Sequence, residues 1–260
     1  MEMRDSAILI LAIYTVCVIV GFFLPKFLGK PRYAIAAISF LPTAFIGLYY
    51  SHTVDDWLFY YRVRTLPYFE ISGALIGLGA GILVRDMYGR RMFVAMPTAA
   101  LALAVVSLLP YWKPILTPLN TESLQDRRDG DYCLQSAGST CGPACLATIL
   151  NLSGTRVSEE EIAKNCLTSS SGTEVWYLAR YAKEKGLDPR YEQVPPSSLN
   201  GKRGIVGVRL GPGGAGHFLA ILDCDKDILE FVDPIKGHLK MSVADFLKSY
   251  EYTGFMLVLQ

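Results

Sequence analysis

Long uncharged apolar runs fill the first 112 residues, and short apolar segments at strand or helix spacing fill the rest. Ser6 to Pro25 carries no charge and is dominated by Ile, Leu, Val and Phe, which suits one membrane crossing. A cleaved signal peptide fits less well, because Leu24-Pro25-Lys26 is no small-residue cleavage site and further apolar runs follow. Tyr33 to His52 is a second uncharged run, Ile71 to Val84 a shorter third, and Met92 to Trp112 a fourth that ends in a Tyr111-Trp112 belt. The third reaches span length if Glu70 and the aromatic residues near Tyr68 sit at the interface. The pattern predicts an N-terminal all-α transmembrane bundle of about four helices over residues 1–112. Gly73, Gly77 and Gly81 recur every fourth residue on the third helix and make a flat face for close packing within that bundle.

Residues 113–131 are rich in proline and charge and read as a linker. Beyond it, a helix is predicted from Cys141 to about Leu152, stopped by Ser153-Gly154. Ser158 with Glu161 forms a capping-box signature for a second helix over roughly 159–166. Thr173 would cap a third, amphipathic helix through Val175, Leu178, Tyr181 and Ala182, ended by Gly186. The texture then changes. Ile205–Leu210, His217–Leu222, Ile228–Val232 and Phe255–Leu259 are short, β-rich and separated by turn residues. Ser242, with Asp245 at the third position, would cap a short helix over 243–247. Helices first and an antiparallel sheet afterwards predict an α+β domain over residues 132–260.

Composition agrees with this division. The chain has 260 residues, 51% of them hydrophobic, with a positive mean hydropathy of +0.29, too apolar for an ordinary soluble protein. Residues 1–112 hold nine Lys/Arg and six Asp/Glu, against sixteen and eighteen in residues 113–260. Neither half is basic enough to suggest nucleic acid as a partner. Among the loops, Lys26, Lys30, Arg32, Arg85, Arg90 and Arg91 lie on one side of the predicted spans. Arg4, Arg62, Arg64 and Lys113 lie on the other. That bias puts the six-charge loops in the cytoplasm of a bacterial inner or plasma membrane, and both termini and the C-terminal domain outside it. His52, Asp55 and Asp56 read as a solvated loop. The six cysteines show no paired Cys-x-x-Cys spacing, so neither a metal nor another cofactor is expected. They leave the redox compartment open.

The chemistry is concentrated in Gln135 to Cys145, reading Gln-Ser-Ala-Gly-Ser-Thr-Cys-Gly-Pro-Ala-Cys. A cysteine on the first turn of a helix feels the positive end of the helix dipole, which favours its thiolate. A glutamine just upstream can fold back and donate its amide to a developing oxyanion. Such a thiol needs a base, and the base needs an orienting acceptor. His217 begins a strand after a glycine-rich turn, and Asp233 ends the next strand, sixteen residues later. An antiparallel hairpin would set the two side by side. His238 reads as a surface strand residue, and Cys145, one helical turn below Cys141, as packing. Trp176 and Tyr177 fit equally as core or as cleft wall.

Gln135, the Cys-Gly-Pro-Ala-Cys-Leu segment at 141–146, Gly-His-Phe at 216–218 and Val-Asp-Pro at 232–234, in that order, resemble the bacteriocin-processing endopeptidases. These are papain-like cysteine proteases that cleave leader peptides after a double glycine, usually as the N-terminal domain of an ABC exporter. The resemblance covers residues 130–260. It implies Cys141 as nucleophile, His217 as general base, Asp233 as its orienter, and Gln135 with the Cys141 N–H as oxyanion donors. It also implies a peptide or protein substrate and a thioester acyl-enzyme. Here the protease-like domain follows membrane spans, and no Gly-x-x-x-x-Gly-Lys-Ser/Thr phosphate loop occurs in these 260 residues. Any exporter partner is therefore expected to be encoded elsewhere. Gly213 and Gly214, beside His217, suggest a narrow cleft for small residues before the scissile bond. Two other readings use the same residues: a non-catalytic peptide-docking module, and a thiol acyltransferase or amidase.

Overall fold

The computed structural model describes residues 3–51, 57–90, 92, 95–210 and 215–260, the side chains of 3–7 and 50–51 excepted. His52, Asp55, Asp56, Arg91, Gly213 and Gly214 lie outside the described residues. Packing divides the chain into two units, Met1–Asp56 with Pro67–Ile115, and Trp57–Leu66 with Leu116–Gln260.

The first unit is helical. It contains α1 (Met3–Phe23), α2 (Pro31–Ser39) and α3 (Leu41–Gly47). The next helix, α4 (Leu58–Arg64), belongs to the second unit. After it come α5 (Ile76–Gly89), led in by a 3-10 turn at Phe69–Leu75, then α6 (Ala95–Ser107) and α7 (Trp112–Leu116). Among the described residues, two helical stretches are long and apolar enough to cross a membrane, Ile8–Lys26 and Phe69–Gly89. The helices Ala95–Ser107 and Leu109–Leu116 meet the same test only as a pair bent by 50°. The run from Tyr33 to His52, expected as one span, is instead broken between α2 and α3. Pro42 has no N–H to give Ile38, and its ring crowds that carbonyl, so the helix cannot run through. Gly77 and Gly81 do serve close packing. A Cβ on either would run into the α1 backbone, at the Tyr14 carbonyl for Gly77 and the Val18 carbonyl for Gly81.

The second unit is α+β. A hairpin of β1 (Arg127–Asp129) and β2 (Tyr132–Leu134) turns at Gly130, whose φ of +60° suits glycine. Three helices follow, α8 (Cys141–Leu152), α9 (Glu159–Asn165) and α10 (Val175–Glu184). Then come β3 (Pro189–Gln193), β4 (Gly204–Arg209), β5 (Gly216–Asp225), β6 (Ile228–Asp233), β7 (Gly237–Ser242), α11 (Val243–Ser249) and β8 (Glu251–Leu259). The six strands β3 to β8 form one antiparallel sheet in the order β3-β8-β4-β5-β6-β7. Alternation along β5 and β6 puts Leu219, Ile221, Leu229 and Phe231 in one core with Phe246 of α11. The buried residues of α8, from Gly142 to Leu150, pack against the inner strand β5 and its neighbours β4 and β6.

Three local signals work out differently from their sequence reading. Ser158 accepts the Glu161 N–H at 3.0 Å, but the Glu161 carboxylate turns away to Tyr181 and Lys185. Helix α10 is capped at Glu174, because the Thr173 hydroxyl pairs with that of Thr168 at 2.8 Å. Within 113–131, Thr117 accepts the Ser170 N–H at 2.9 Å and Arg127–Asp129 join a sheet, so much of this stretch is packed chain. Ser242 caps α11 as its spacing predicts, accepting the Asp245 N–H at 3.1 Å.

Candidate active site

The site begins at the first residue of α8. Thr140 precedes it with a non-helical conformation, and its side chain does not cap the helix. Its hydroxyl is used instead within the turn, donating to the Ala137 carbonyl at 2.8 Å. Cys141 therefore sits on a first turn whose N–H groups are not occupied by the cap side chain, half-buried rather than sealed in the core. Gly142 keeps the helix close to its neighbours, since a Cβ there would lie 2.9 Å from Leu178 of α10.

Sheet register supplies the partner. Ala220 pairs with Val232, so Asp233 stands diagonally across from His217 on the same face of the hairpin. His217 Nε2 lies 2.9 Å from Asp233 Oδ1, and the Cys141 thiol is near enough to the same ring to act on its charge. Nε2 being taken by the carboxylate, Nδ1 is the nitrogen left to serve the sulfur. His217 is 5% exposed and Asp233 0%.

The electrostatics follow from this geometry. Burial alone would lower the His217 pKa, but the hydrogen bonds and charges of Asp233 and Cys141 outweigh it and push the value up to about 9. Burial likewise opposes ionisation of Asp233, yet the His217 ring, the Ile235 N–H and the Tyr250 hydroxyl hold its carboxyl down at about 2. Tyr250 donates to Asp233 Oδ2 at 2.8 Å and in turn accepts from Lys236 Nζ at 3.1 Å. The result is a continuous line from a lysine ammonium through a phenol and a carboxylate to an imidazole, with the Cys141 thiol beyond it.

Gln135 is tethered beside this line. Its backbone N–H donates to the Pro234 carbonyl at 2.9 Å, and its side-chain Nε2 donates to the Ala137 carbonyl at 2.9 Å. Its Oε1 is buried with no hydrogen-bond partner among the described residues. The next residue, Ser136, is gripped by the buried Glu159, whose two carboxylate oxygens accept its N–H and its hydroxyl at 2.9 and 2.5 Å.

All four residues singled out in the sequence thus lie in one region. Other candidates separate from it. Cys145 is fully buried beneath Cys141, its thiol pointing to the Phe218 carbonyl at 3.3 Å and its pKa pushed well up, chiefly by burial. Cys133 is pushed up to about 12, again chiefly by burial, and Cys166 well up. All six cysteines are free thiols. His238 pairs with Glu230 at 2.8 Å and stacks on Tyr132. Trp176 is core. Tyr60 and Tyr61 of α4 pack on its ring, and the Arg64 guanidinium lies 4.2 Å from the ring centroid. Tyr250 and Glu159 carry no sequence motif, and only the fold brings them to the site.

With that geometry in hand, relatives can be placed. The sequence model of the Peptidase C39 family matches residues 129–260, and the chain belongs to this family of cysteine peptidases. An uncharacterized protein of Methanothermobacter marburgensis is 34% identical over 126 residues, which are 48% of this chain and 85% of that one. A protein named probable functional amyloid protease FapD, from Pseudomonas fluorescens, is 28% identical over 145 residues, 53% of this chain and 64% of its own length. Among solved structures, a double glycine motif protease from an AMS/PCAT transporter, in complex with the leader peptide, is similar at 23% identity. Its TM-score is 0.42, and the match covers 48% of this chain and 87% of that one. The peptidase domain of Streptococcus ComA, a bi-functional ABC transporter involved in quorum sensing, is similar at 21% identity. Its TM-score is also 0.42, over 52% of this chain and 96% of that one.

Proposed function

We propose that this protein is a membrane-anchored cysteine endopeptidase. The observation that carries the reading is the buried His217–Asp233 pair set beside Cys141 at the start of α8. His217 takes the Cys141 proton, and the thiolate attacks the scissile carbonyl carbon. The tetrahedral oxyanion is met by the Cys141 N–H and the second N–H of Gln135 Nε2. Collapse breaks the C–N bond, His217 gives its proton to the leaving amine, and a thioester remains. Water, deprotonated by His217, then releases the acid and restores the thiol. Asp233 orients the ring and stabilises the imidazolium.

The substrate is a peptide or protein chain with two small residues of the Gly-Gly type before the cleaved bond. Support comes from family membership, from the motif set 135, 141–146, 216–218 and 232–234, and from the protease name borne by the FapD relative. An exporter is the natural partner for such processing.

The apolar helices support the anchor. Phe69–Gly89 is long and apolar enough to cross a membrane, and α6 with α7 meets the same test as a bent pair. Ile8–Lys26 supplies a further crossing, and a broken one over α2–α3 would bring the bundle to the four expected from the sequence. Loop charge then places the peptidase unit outside the cytoplasm.

Two measurements test this reading. Limiting iodoacetamide should label Cys141 ahead of the other cysteines at pH 6, and that lead should vanish in His217→Ala. Purified protein should also cleave synthetic peptides carrying an internal Gly-Gly, located by product masses, with Cys141→Ala inert. A Cys141 no faster than the other thiols, and no cleavage, would leave a peptide-docking module.

A further inference from the structure

We infer that Glu159 is a positioning residue for the oxyanion-binding arm, an inference that rests on the peptidase reading above. An oxyanion donor works only within hydrogen-bond distance of the place where charge develops, about 2.7–3.1 Å away. Gln135 lies on a loop, between β2 and α8, that no regular structure holds in place. Hydrogen bonds fix it instead, among them Gln135 Nε2 to the Ala137 carbonyl and the Gln125 N–H to the Ser136 hydroxyl, and two act on the backbone at either side of the Gln135 Cα. The Gln135 N–H is held by Pro234, directly after Asp233. The Ser136 N–H is held by the Glu159 carboxylate, which also takes the Ser136 hydroxyl. The backbone on both sides of the Gln135 Cα is thereby pinned, one side to the triad hairpin and the other to the first residue of α9.

Glu159 is fully buried. A buried carboxylate is costly, and structure retains one where its hydrogen bonds are made. Both oxygens of this one are spent on a single residue, the neighbour of Gln135. Gln135 itself has a buried Oε1 without a partner among the described residues. Its side chain is held through its donor alone, on the Ala137 carbonyl of the same loop, so its position follows the loop backbone that Glu159 helps to hold.

The test uses the full chain in detergent, with a peptidyl-Gly-Gly-aminomethylcoumarin substrate for kcat and KM. Iodoacetamide labelling of Cys141 reports the thiolate independently. Gln135→Ala should lower kcat about 100-fold, with KM and labelling unchanged. Glu159→Ala should lower kcat about 10-fold with the same split, as a misplaced donor does. Glu159→Gln keeps an acceptor for the Ser136 N–H and gains a donor for its hydroxyl, and should recover to within about 3-fold of the parent. The double variant Gln135→Ala/Glu159→Ala should be no slower than Gln135→Ala, because two changes acting through one group do not add.

An additive double variant, or loss of Cys141 labelling in Glu159→Ala, overturns the assignment in favour of a general structural role. Should Glu159→Ala not fold, Ser136→Ala replaces it in the same cycle. That variant removes only the hydroxyl, and its kcat loss must likewise vanish in the Gln135→Ala background. If Gln135→Ala leaves kcat unchanged, the oxyanion reading itself fails. If Gln135→Ala is slow while Glu159→Ala is not, only the Glu159 assignment falls.

Discussion

Tyr250 donates its hydroxyl proton to Asp233 Oδ2 across 2.8 Å, so the carboxylate that faces His217 is held from a second side. Oδ1 is shared between His217 and the Ile235 N–H, and only Oδ2 meets the phenol. Tyr250→Phe should keep the ring packed against Phe231 and Phe246 while removing that bond. A hydrogen bond to a charged group is worth about 1.5–3 kcal/mol, so unfolding of this unit should come several degrees earlier. Turnover should fall about 10-fold as the imidazole loses orientation. Unchanged kcat with a lowered melting temperature would make Tyr250 purely structural.

Stability should depend on pH in a direction set by the His217–Asp233 pair. The folded His217 value, about 9, lies above its ordinary 6.5. Its contribution is complete below pH 6.5 and is lost as pH rises through 9. The folded Asp233 value, about 2, lies below its ordinary 3.8. Its contribution is complete above pH 3.8 and disappears as pH falls through 2. Between these limits the pair contributes on the order of 2–3 kcal/mol. Urea midpoints followed by intrinsic fluorescence should drop above pH 6.5. The same alkaline drop in His217→Ala would show that another group causes it.

Thiol reactivity should single out one cysteine. Burial raises the pKa of Cys133, Cys145, Cys166 and Cys224, whereas Cys141 is half-buried on a helix first turn beside His217. Cys145→Ala should therefore leave the fast labelling phase intact, and Cys141→Ala should erase it. A fast phase that survives in Cys141→Ala would point to Cys17, which is also half-buried, or to a buried thiol becoming exposed.

Helix α4 should be held to its unit by Trp176. The Arg64 guanidinium lies over that ring, and Arg180 donates to the Arg64 and Thr65 carbonyls. Trp176→Ala removes a fully buried indole and should cost about 3–5 kcal/mol. Brief trypsin treatment should then cut after Arg64, which is 2% exposed in the parent. Equal cutting in both proteins would mean that α4 is not anchored there.

The sequence by itself determined a good deal of this protein. Gln135, Cys141, His217 and Asp233 are legible because their chemistry is local: a helix start, a strand start, a strand end and the loop before them. The helices at 141–152 and 243–249 begin where their flanking residues predict. So does the α+β order of the C-terminal domain, since periodicity and turn residues act over a few positions. What the tertiary structure decided is whatever depends on distant segments. Glu159 reaches Ser136 across twenty-three residues and Tyr250 reaches Asp233 across seventeen, and neither pair leaves a mark on local spacing. Trp57–Leu66 reads as a charged loop between apolar runs, yet its tyrosines and Arg64 pack around Trp176, more than a hundred residues on. A short amphipathic segment does not carry the address of the surface that buries it, because burial is a property of the partner as much as of the segment.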